Sequence, residues 1–175
     1  MIMEVILIPL SEERAPQFKA DMQQAFEQGA IDNFGEVTEE ILPEKDIDCS
    51  LFADGAAAYE AIAEGRTVGG AVVVIDEKTQ HNHLDFLFVK KGVQSKGIGQ
   101  AIWHALETKY PERKVWETFT PCFEKRNIHF YVNCCGFRIA EFFNKNHPDP
   151  HPVEYEQIDH VFFRFEKVMQ GHPAR

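Results

Sequence analysis

Residues 84 to 120 constrain the fold more than any other stretch. Leu84-Asp85-Phe86-Leu87-Phe88-Val89 is a nearly continuous apolar run, the pattern of a strand buried within a sheet. A polar loop follows, and then Ile98, Ala101, Ile102, Ala105 and Leu106 recur at helical spacing before Pro111. Val115 to Thr120 reads as another strand. Two strands joined through such a helix run parallel, by a right-handed crossover. The chain is therefore committed to an α/β sheet containing a parallel pair.

The remaining segments extend that sheet. Val5-Ile6-Leu7-Ile8 before Pro9 reads as a buried first strand, and Ser11 as the N-cap of a helix that Gly29 closes. Ala15, Phe18, Met22, Ala25 and Phe26 form its apolar face. Residues 36 to 55 are acidic and irregular, with a short helix around Glu44 to Phe52. Ala58 to Ala63 and Val68 to Ile75 form a hairpin about Glu64-Gly65-Arg66. Val72 to Ile75 is apolar on both faces, which places it centrally. After the turn Asp76 to Asn82 and the segment already described, Pro121 opens a helix that runs to Gly136. Phe137 to Phe143 and His160 to Val168 are the last strands, joined by a loop from Asn144 to Val153. The order β-α-(α)-β-β-β-α-β-α-β-β, with no repeat or linker, implies one domain over residues 1–175 with a mixed sheet. A chain of 175 residues sits within the roughly 100 to 200 expected of one domain.

Charge narrows the partners. Lys and Arg total 18 against 28 Asp and Glu, a net charge of −10. Phosphate backbones and anionic lipid surfaces recruit clustered cations, so neither nucleic acid nor membrane is an expected partner. Cys49, Cys122, Cys134 and Cys135 have no CxxC spacing, as expected for reduced thiols in a cytoplasmic protein. Met1 to Leu10 has no basic region and no cleavage site of the secretory kind, and no run approaches the roughly 20 apolar residues of a membrane span.

The loop between the parallel strands carries the chemistry. Gln94-Ser95-Lys96-Gly97-Ile98-Gly99-Gln100 puts two glycines at a helix N-terminus, where unpaired amides and the helix dipole suit a phosphate. A Walker A loop from Gly92 would need Lys at 98, which is Ile98. A dinucleotide fingerprint from Gly97 would need Gly at 102, which is Ile102. The pattern that fits is Q-x-x-G-x-G. With Tyr131-Val132-Asn133-Cys134-Cys135-Gly136-Phe137 further on, and with the strand order, the chain resembles the GCN5-related N-acetyltransferase (GNAT) superfamily. That family carries [QR]-x-x-G-x-[GA] and a Y-x-x-x-G-F ending.

The resemblance implies a central, mostly antiparallel sheet with a splayed parallel strand pair and flanking helices. It implies acetyl-CoA as co-substrate, with no metal. Amides of Ser95, Lys96, Gly97, Ile98, Gly99 and Gln100 would cradle its pyrophosphate, with Gln94 opening the motif. Leu87, Phe88 and Val89 would pair with the pantetheine arm, and an amide near Val89 would polarise the thioester carbonyl. Tyr131 would protonate the leaving sulfur. Many members carry Asn seven residues before that tyrosine. Here the position is Glu124, and Asn127, on the same helical face, is the candidate to take over the contact. Some members keep their base at positions matching His83 or Asp85. Phe119 stands where some relatives have a base glutamate.

Acetylation of an amine needs a base, because a lysine-like amine has a pKa of about 10.4, and it benefits from an acid at the departing thiolate. Alternation puts His83, Asp85, Leu87 and Val89 on one strand face. A carboxylate within an apolar strand costs free energy unless it is paired, which singles out Asp85. Glu117 on the next strand is the third candidate base. The expected activity is direct acetyl transfer to a primary amine of a small molecule or peptide. A non-catalytic acyl-CoA-binding domain on the same scaffold is one alternative, and an unrelated α/β phosphate binder is another. His81-x-His83 and the loop His147-Pro148-Asp149-Pro150-His151-Pro152 look metal-like, but ordinary strand and turn chemistry explains them. Phe142, Phe143, Phe162, Phe163 and Phe165 suit a core or a subunit interface, which leaves room for a homodimer. Lys90, Lys91 and Lys96 form a local basic cluster beside the glycine loop.

Overall fold

The computed structural model describes residues 4–93, 97–112, 114–122, 124–150 and 161–169. The elements run β1 (Ile6–Pro9), α1 (Ala15–Phe34), α2 (Glu44–Leu51), β2 (Ala56–Ala63), β3 (Arg66–Val74), β4 (His81–Val89), α3 (Ile98–Lys109), β5 (Val115–Pro121) and α4 (Lys125–His129). A π-helical turn (Phe130–Cys134), β6 (Arg138–Phe143) and β7 (Phe162–Val168) follow. Among the described residues the strands form one sheet in the order β1-β2-β3-β4-β5-β7-β6. Among these described strands only β4 and β5 pair in parallel. This is the mixed α/β sheet the sequence implied.

Helices cover both faces because β3 and β4 are apolar on both. Val73, Leu84, Ile102, Trp103, Leu106, Trp116 and Phe165 make the α3 side of the core. Phe18, Met22, Leu42, Ile47, Val72 and Phe88 make the side under α1 and α2. Burying each large side chain contributes roughly 1.5–3 kcal/mol against the entropy of ordering it. The expected split of β3 between two faces is realised at Val72 and Val73, both fully buried.

Three boundaries differ from the sequence expectation. Helix α1 does not stop at Gly29 but continues to Phe34. Gly35, at φ 81°, is the residue that ends it, with its amide 2.7 Å from the Ile31 carbonyl. A single helical glycine costs only about 1 kcal/mol, and the Ala30 beyond it is buried. Ser11 is not the N-cap. Its hydroxyl accepts from the Arg14 amide at 3.3 Å in the turn before the helix, and Pro16 fills the first turn. Pro121 ends β5 rather than opening a helix. His160, expected to start the last strand, lies outside the described residues, and β7 begins at Phe162.

Two local irregularities shape the cleft. Val72 pairs with Phe86 but Val73 pairs with Leu84, so β4 carries one extra residue, Asp85, as a bulge. The bulge breaks the expected alternation. Leu84, Leu87 and Val89 pack toward α3, whereas Phe86 and Phe88 pack toward α1 and α2. Asp85 reaches Ser50 on α2. His83, Asp85, Leu87 and Val89 therefore do not share one face. The second irregularity is the π turn. Four residues separate Tyr131 from Gly136, one more than Y-x-x-x-G-F allows. A π turn is the way a helix absorbs one extra residue. Here the Cys135 amide bonds the Phe130 carbonyl at 3.0 Å. Gln100 Nε2 and Lys167 Nζ donate to the Cys134 and Cys135 carbonyls at 2.9 and 2.6 Å, which satisfies groups the wider turn leaves free.

Candidate active site

β4 and β5 pair only through His81–Val115, Asn82–Trp116 and His83–Glu117. Just beyond, Thr118 Oγ1 donates to the Leu84 carbonyl at 2.8 Å, and the strands then part. The gap is a cleft of about 1500 Å³. β3 occupies one edge of β4, so past the split the other edge of Leu87, Phe88 and Val89 has no strand partner among the described residues.

At one end lies the start of α3. Gly97 sits at φ 97°, a left-handed conformation that suits glycine, and it delivers the chain into the helix with its first amides unpaired by the helix itself. Gly97, Gly99 and Gln100 line the cleft, and the Ile98 side chain is buried in the core. Gln94, Ser95 and Lys96 lie outside the described residues. A Cβ on Gly99 would come within 3.0 Å of the Phe130 ring, so glycine lets the π turn approach α3 closely. Lys90 Nζ stands 3.8 Å from Asp21, a buried carboxylate on α1, and so is partly neutralised rather than free for a phosphate.

The candidate acid and bases meet around the split. Tyr131 is 8% exposed, its ring packed on Phe130, Phe137 and Phe165. Burial first, then nearby Cys135, raises its hydroxyl pKa well above the usual tyrosine value, and Thr118 beside it opposes the shift. The phenol therefore keeps its proton. Asp85 is accessible from the cleft yet walled by protein. Ser50 Oγ donates to its Oδ2 at 2.5 Å. Desolvation raises the Asp85 pKa, against the Ser50 hydrogen bond and the influence of His83. His83 Nε2 lies 3.8 Å from Glu117, and its ring stacks on Phe119 at 6.4 Å. Glu117 also has Arg164 Nε at 3.8 Å. Glu117 is thus shared between His83 and Arg164, whereas Asp85 is hydrogen-bonded by the Ser50 hydroxyl, with His83 acting on it by charge alone.

Asn127 lines the cleft, with its amide donating to Thr120 Oγ1 at 3.3 Å. Glu124 accepts from Asn33 at 3.1 Å, and Arg126 pairs with Asp32 at 2.8 Å. These two contacts tie the last turns of α1 to the entrance of α4. Sequence reading missed them, because it ended α1 at Gly29. It also missed Ser50, which no local pattern marks. In the acidic stretch before β2, Glu44 and Asp48 pair with Lys19 at 2.7 and 3.0 Å, and Asp46 lines the cleft. His147 bonds Glu141 at 2.8 Å, and among the described residues no three His, Cys, Asp or Glu side chains are grouped to hold a metal. Of the late phenylalanines, Phe165 and Phe143 are buried, and Phe142 is exposed on the edge strand β6.

The sheet thus splits between its parallel strands beside a glycine-led helix N-terminus, and comparison with known proteins names the family. Residues 18–137 match the model of the Acetyltransferase (GNAT) family, and the chain belongs to that family. It is 42% identical over 175 residues to the "Uncharacterized protein YrkN" of Bacillus subtilis (strain 168), covering 95% of each. A Bacillus subtilis acetyltransferase solved in complex with CoA superposes with a TM-score of 0.65 at 19% identity, over 96% of this chain and 99% of that one. The ribosomal-protein-S18-alanine N-acetyltransferase of Escherichia coli gives 0.67 at 12% identity, over 98% and 99%. Acetyl-CoA is accordingly the co-substrate, and the open β4 edge and the Gly97 helix start fit its arm and its phosphates.

Proposed function

We propose that the chain, as a single domain, moves the acetyl group of acetyl-CoA to a primary amine of a small molecule or peptide, by direct attack within a ternary complex. The observation that carries this reading is the bulge at Asp85. It turns an otherwise apolar strand so that one carboxylate with a raised pKa faces the cleft at the point where β4 and β5 part.

Acetyl-CoA supplies a thioester, and the chain's residues do the rest. The Leu87–Val89 edge and the first amides of α3 hold the arm and the phosphates, and an amide near Val89 polarises the carbonyl. Asp85 accepts the proton of the incoming ammonium, with Ser50 fixing its orientation. Tyr131 offers its proton to the departing sulfur. His83 and Glu117 border the acceptor side and hold one another and Phe119 in place. Asn127 stands by the cofactor arm. The exposed Ile139 and Phe142 on edge strand β6 support a homodimer, which sedimentation tests. The described residues include no helix long and apolar enough to cross a membrane. Four unbridged thiols support a cytoplasmic location.

An amine-panel assay with acetyl-CoA, following free thiol release over polyamines, amino acids, aminoglycosides and peptide N-termini, tests the proposal. Turnover with a subset supports it. Tight CoA binding without turnover on any amine favours the non-catalytic binding module instead.

A further inference from the structure

The acceptor side of the cleft has aromatic walls that the chemistry above does not use. On β5, Trp116, Thr118 and Thr120 are buried, and alternation turns Glu117 and Phe119 to the other face. Helices α1 and α2 pack over β2, β3 and β4 on that face, and Phe119 is left 41% exposed, lining the cleft. Its ring is held in a flat row. His83 lies 6.4 Å away with its plane 7° from parallel, and Phe143 lies 6.3 Å away at 26°. His147 continues the row beyond Phe143, at 5.5 Å and 1°. Near-parallel rings at such separations are displaced rather than face to face, so Phe119 keeps part of a face uncovered. On the β4 side of the cleft, Phe26 and Phe86 meet edge to face at 5.9 Å, and both line it.

Charge decides how many cationic centres such a slot can hold. Asp85 and Glu117 stand where the strands part. Among the described residues, the other charged groups lining the cleft are Asp46, Glu124 and Asp149 against Lys45, Arg126 and Lys145. Their charges cancel, so a second or third ammonium on the substrate gains little beyond the first. Glu124 and Arg126 are also bound to Asn33 and Asp32, and Arg164 is shared between Glu117 and Glu141. These paired groups are not free to hydrogen-bond a polyhydroxylated ring. What the cleft does offer is aromatic surface beside one carboxylate, Asp85, held by a neutral hydroxyl. Apolar walls with a few convergent polar groups are how small-ligand sites are built.

We propose that the acceptor is an arylalkylamine, a single primary amine on a short alkyl tether from an aromatic ring, with the ring seated on Phe119 and the nitrogen at Asp85. His83 links the two points. It stacks on Phe119 and stands two residues before Asp85 on β4, at most about 7 Å along a strand. A tether of a few carbons spans that distance. Phe119 is then the residue that sets specificity, and Phe26 and Phe86 border the slot on the β4 side. Asp85 and Glu117 would repel a carboxylate beside the reacting nitrogen, so the amine is favoured over the amino acid of the same side chain. The nitrogen–carbonyl bond forms as the carbon–sulfur bond breaks. Of the two protons the ammonium gives up, one is balanced by the proton the sulfur gains, and the other leaves through Asp85. The inference rests on the amine-acetylating reading of the cleft and names its substrate class.

The test is steady-state kinetics of the full chain with acetyl-CoA and five acceptors: phenethylamine, cyclohexylethylamine, butylamine, phenylalanine and spermidine. The kcat/KM for phenethylamine is expected to exceed that for butylamine, phenylalanine and spermidine by at least about tenfold. It should exceed that for cyclohexylethylamine, which has the bulk without the π face, by about threefold or more. Phe119→Ala should raise the KM for phenethylamine by about tenfold and cut its advantage over butylamine, whereas Phe119→Trp should keep both. The melting temperature of each variant, with and without CoA, shows separately that the fold and the cofactor site persist. A preference for butylamine, phenylalanine or spermidine overturns the proposal, as do equal rates on the phenyl and cyclohexyl amines. So does a Phe119→Ala variant in which the ratio between phenethylamine and butylamine is unchanged. Each of those results leaves the acetyltransferase reading standing. No turnover on any amine, by a chain that still binds CoA, overturns the proposal together with that reading.

Discussion

Asp85 and Ser50 show how much one bulged residue decides. Burial raises the Asp85 pKa, so its basic form is reached at higher pH than for a free carboxylate, whose pKa is about 3.9. The acid limb of kcat/KM is therefore expected above the ordinary carboxylate range. The Ser50 hydrogen bond favours the ionised form, so Ser50→Ala moves the limb further up and Ser50→Thr restores it. A limb that stays put in a pH–rate profile removes Ser50 from the mechanism. Asp85→Asn is expected to lower kcat by about 10²–10⁴, the usual contribution of a positioned base. It should also stabilise the fold. A carboxyl whose folded pKa is raised binds its proton more tightly folded than unfolded, so stability is lost as pH rises through that window. The melting temperature of Asp85→Asn should exceed wild type near neutrality, with the gap closing toward pH values below the unfolded pKa. Tyr131→Phe keeps the ring packing on Phe137 and Phe165 but removes the hydroxyl. About 10²-fold loss of turnover with unchanged CoA affinity is expected. Unchanged turnover would assign Tyr131 to the core alone. Gly97 and Gly99 were marked as candidates by a spaced motif, and Tyr131 by a motif that it matches with one extra residue. Ser50 was not, because its partner lies 35 residues away and is set only by the packing of α2 on the sheet.

Strands and helices followed from apolar runs and 3.6-residue spacing, and the order of elements was readable throughout. What escaped was the single extra residue. His83-Asp85-Leu87-Val89 fits a regular strand as well as a bulged one, and only pairing with Val72 and Val73 reveals the slip. The π turn was legible in principle, since counting from Tyr131 to Gly136 gives four intervening residues where the motif has three. The end of α1 was misread because glycine weakens a helix without stopping it. Gly69 shows what holds the bulged strand in place. A Cβ there would lie 2.1 Å from the Phe88 carbonyl and 3.1 Å from Ile102, and the obstacle is backbone. Gly69→Ala must push β4 away from β3, at about 1–3 kcal/mol for overpacking. Because β4 carries both Asp85 and the cofactor edge, denaturant unfolding and CoA affinity should weaken together. Loss of stability with intact CoA affinity would mean that β4 relaxes without moving its open edge.

At the scale of the molecule, the sheet and its parallel pair were readable from residues 84 to 120, but the splay was not. It arises because β4 and β5 hold only three residue pairs before Thr118 closes the split, and no periodicity encodes where two strands part. Charge gives the last prediction. The chain carries −10, and CoA is itself a polyanion, so the two repel at long range. One of the lysines expected to reverse this locally, Lys90, faces Asp21. The phosphates are left mainly to neutral hydrogen-bond donors at the start of α3, helped by the helix dipole. Salt screens the repulsion between distant charges within a Debye length of about 10 Å at 0.1 M, but barely weakens direct amide contacts. CoA at about 100 times its Kd stabilises a protein by about 2.7 kcal/mol, which for a chain of this size raises the melting temperature by about 5–10 °C. That shift, read at one fixed CoA concentration, should hold or grow between low and physiological ionic strength. A site built on lysines would instead lose affinity steeply over the same range, and that result would return the phosphates to Lys91 and Lys96.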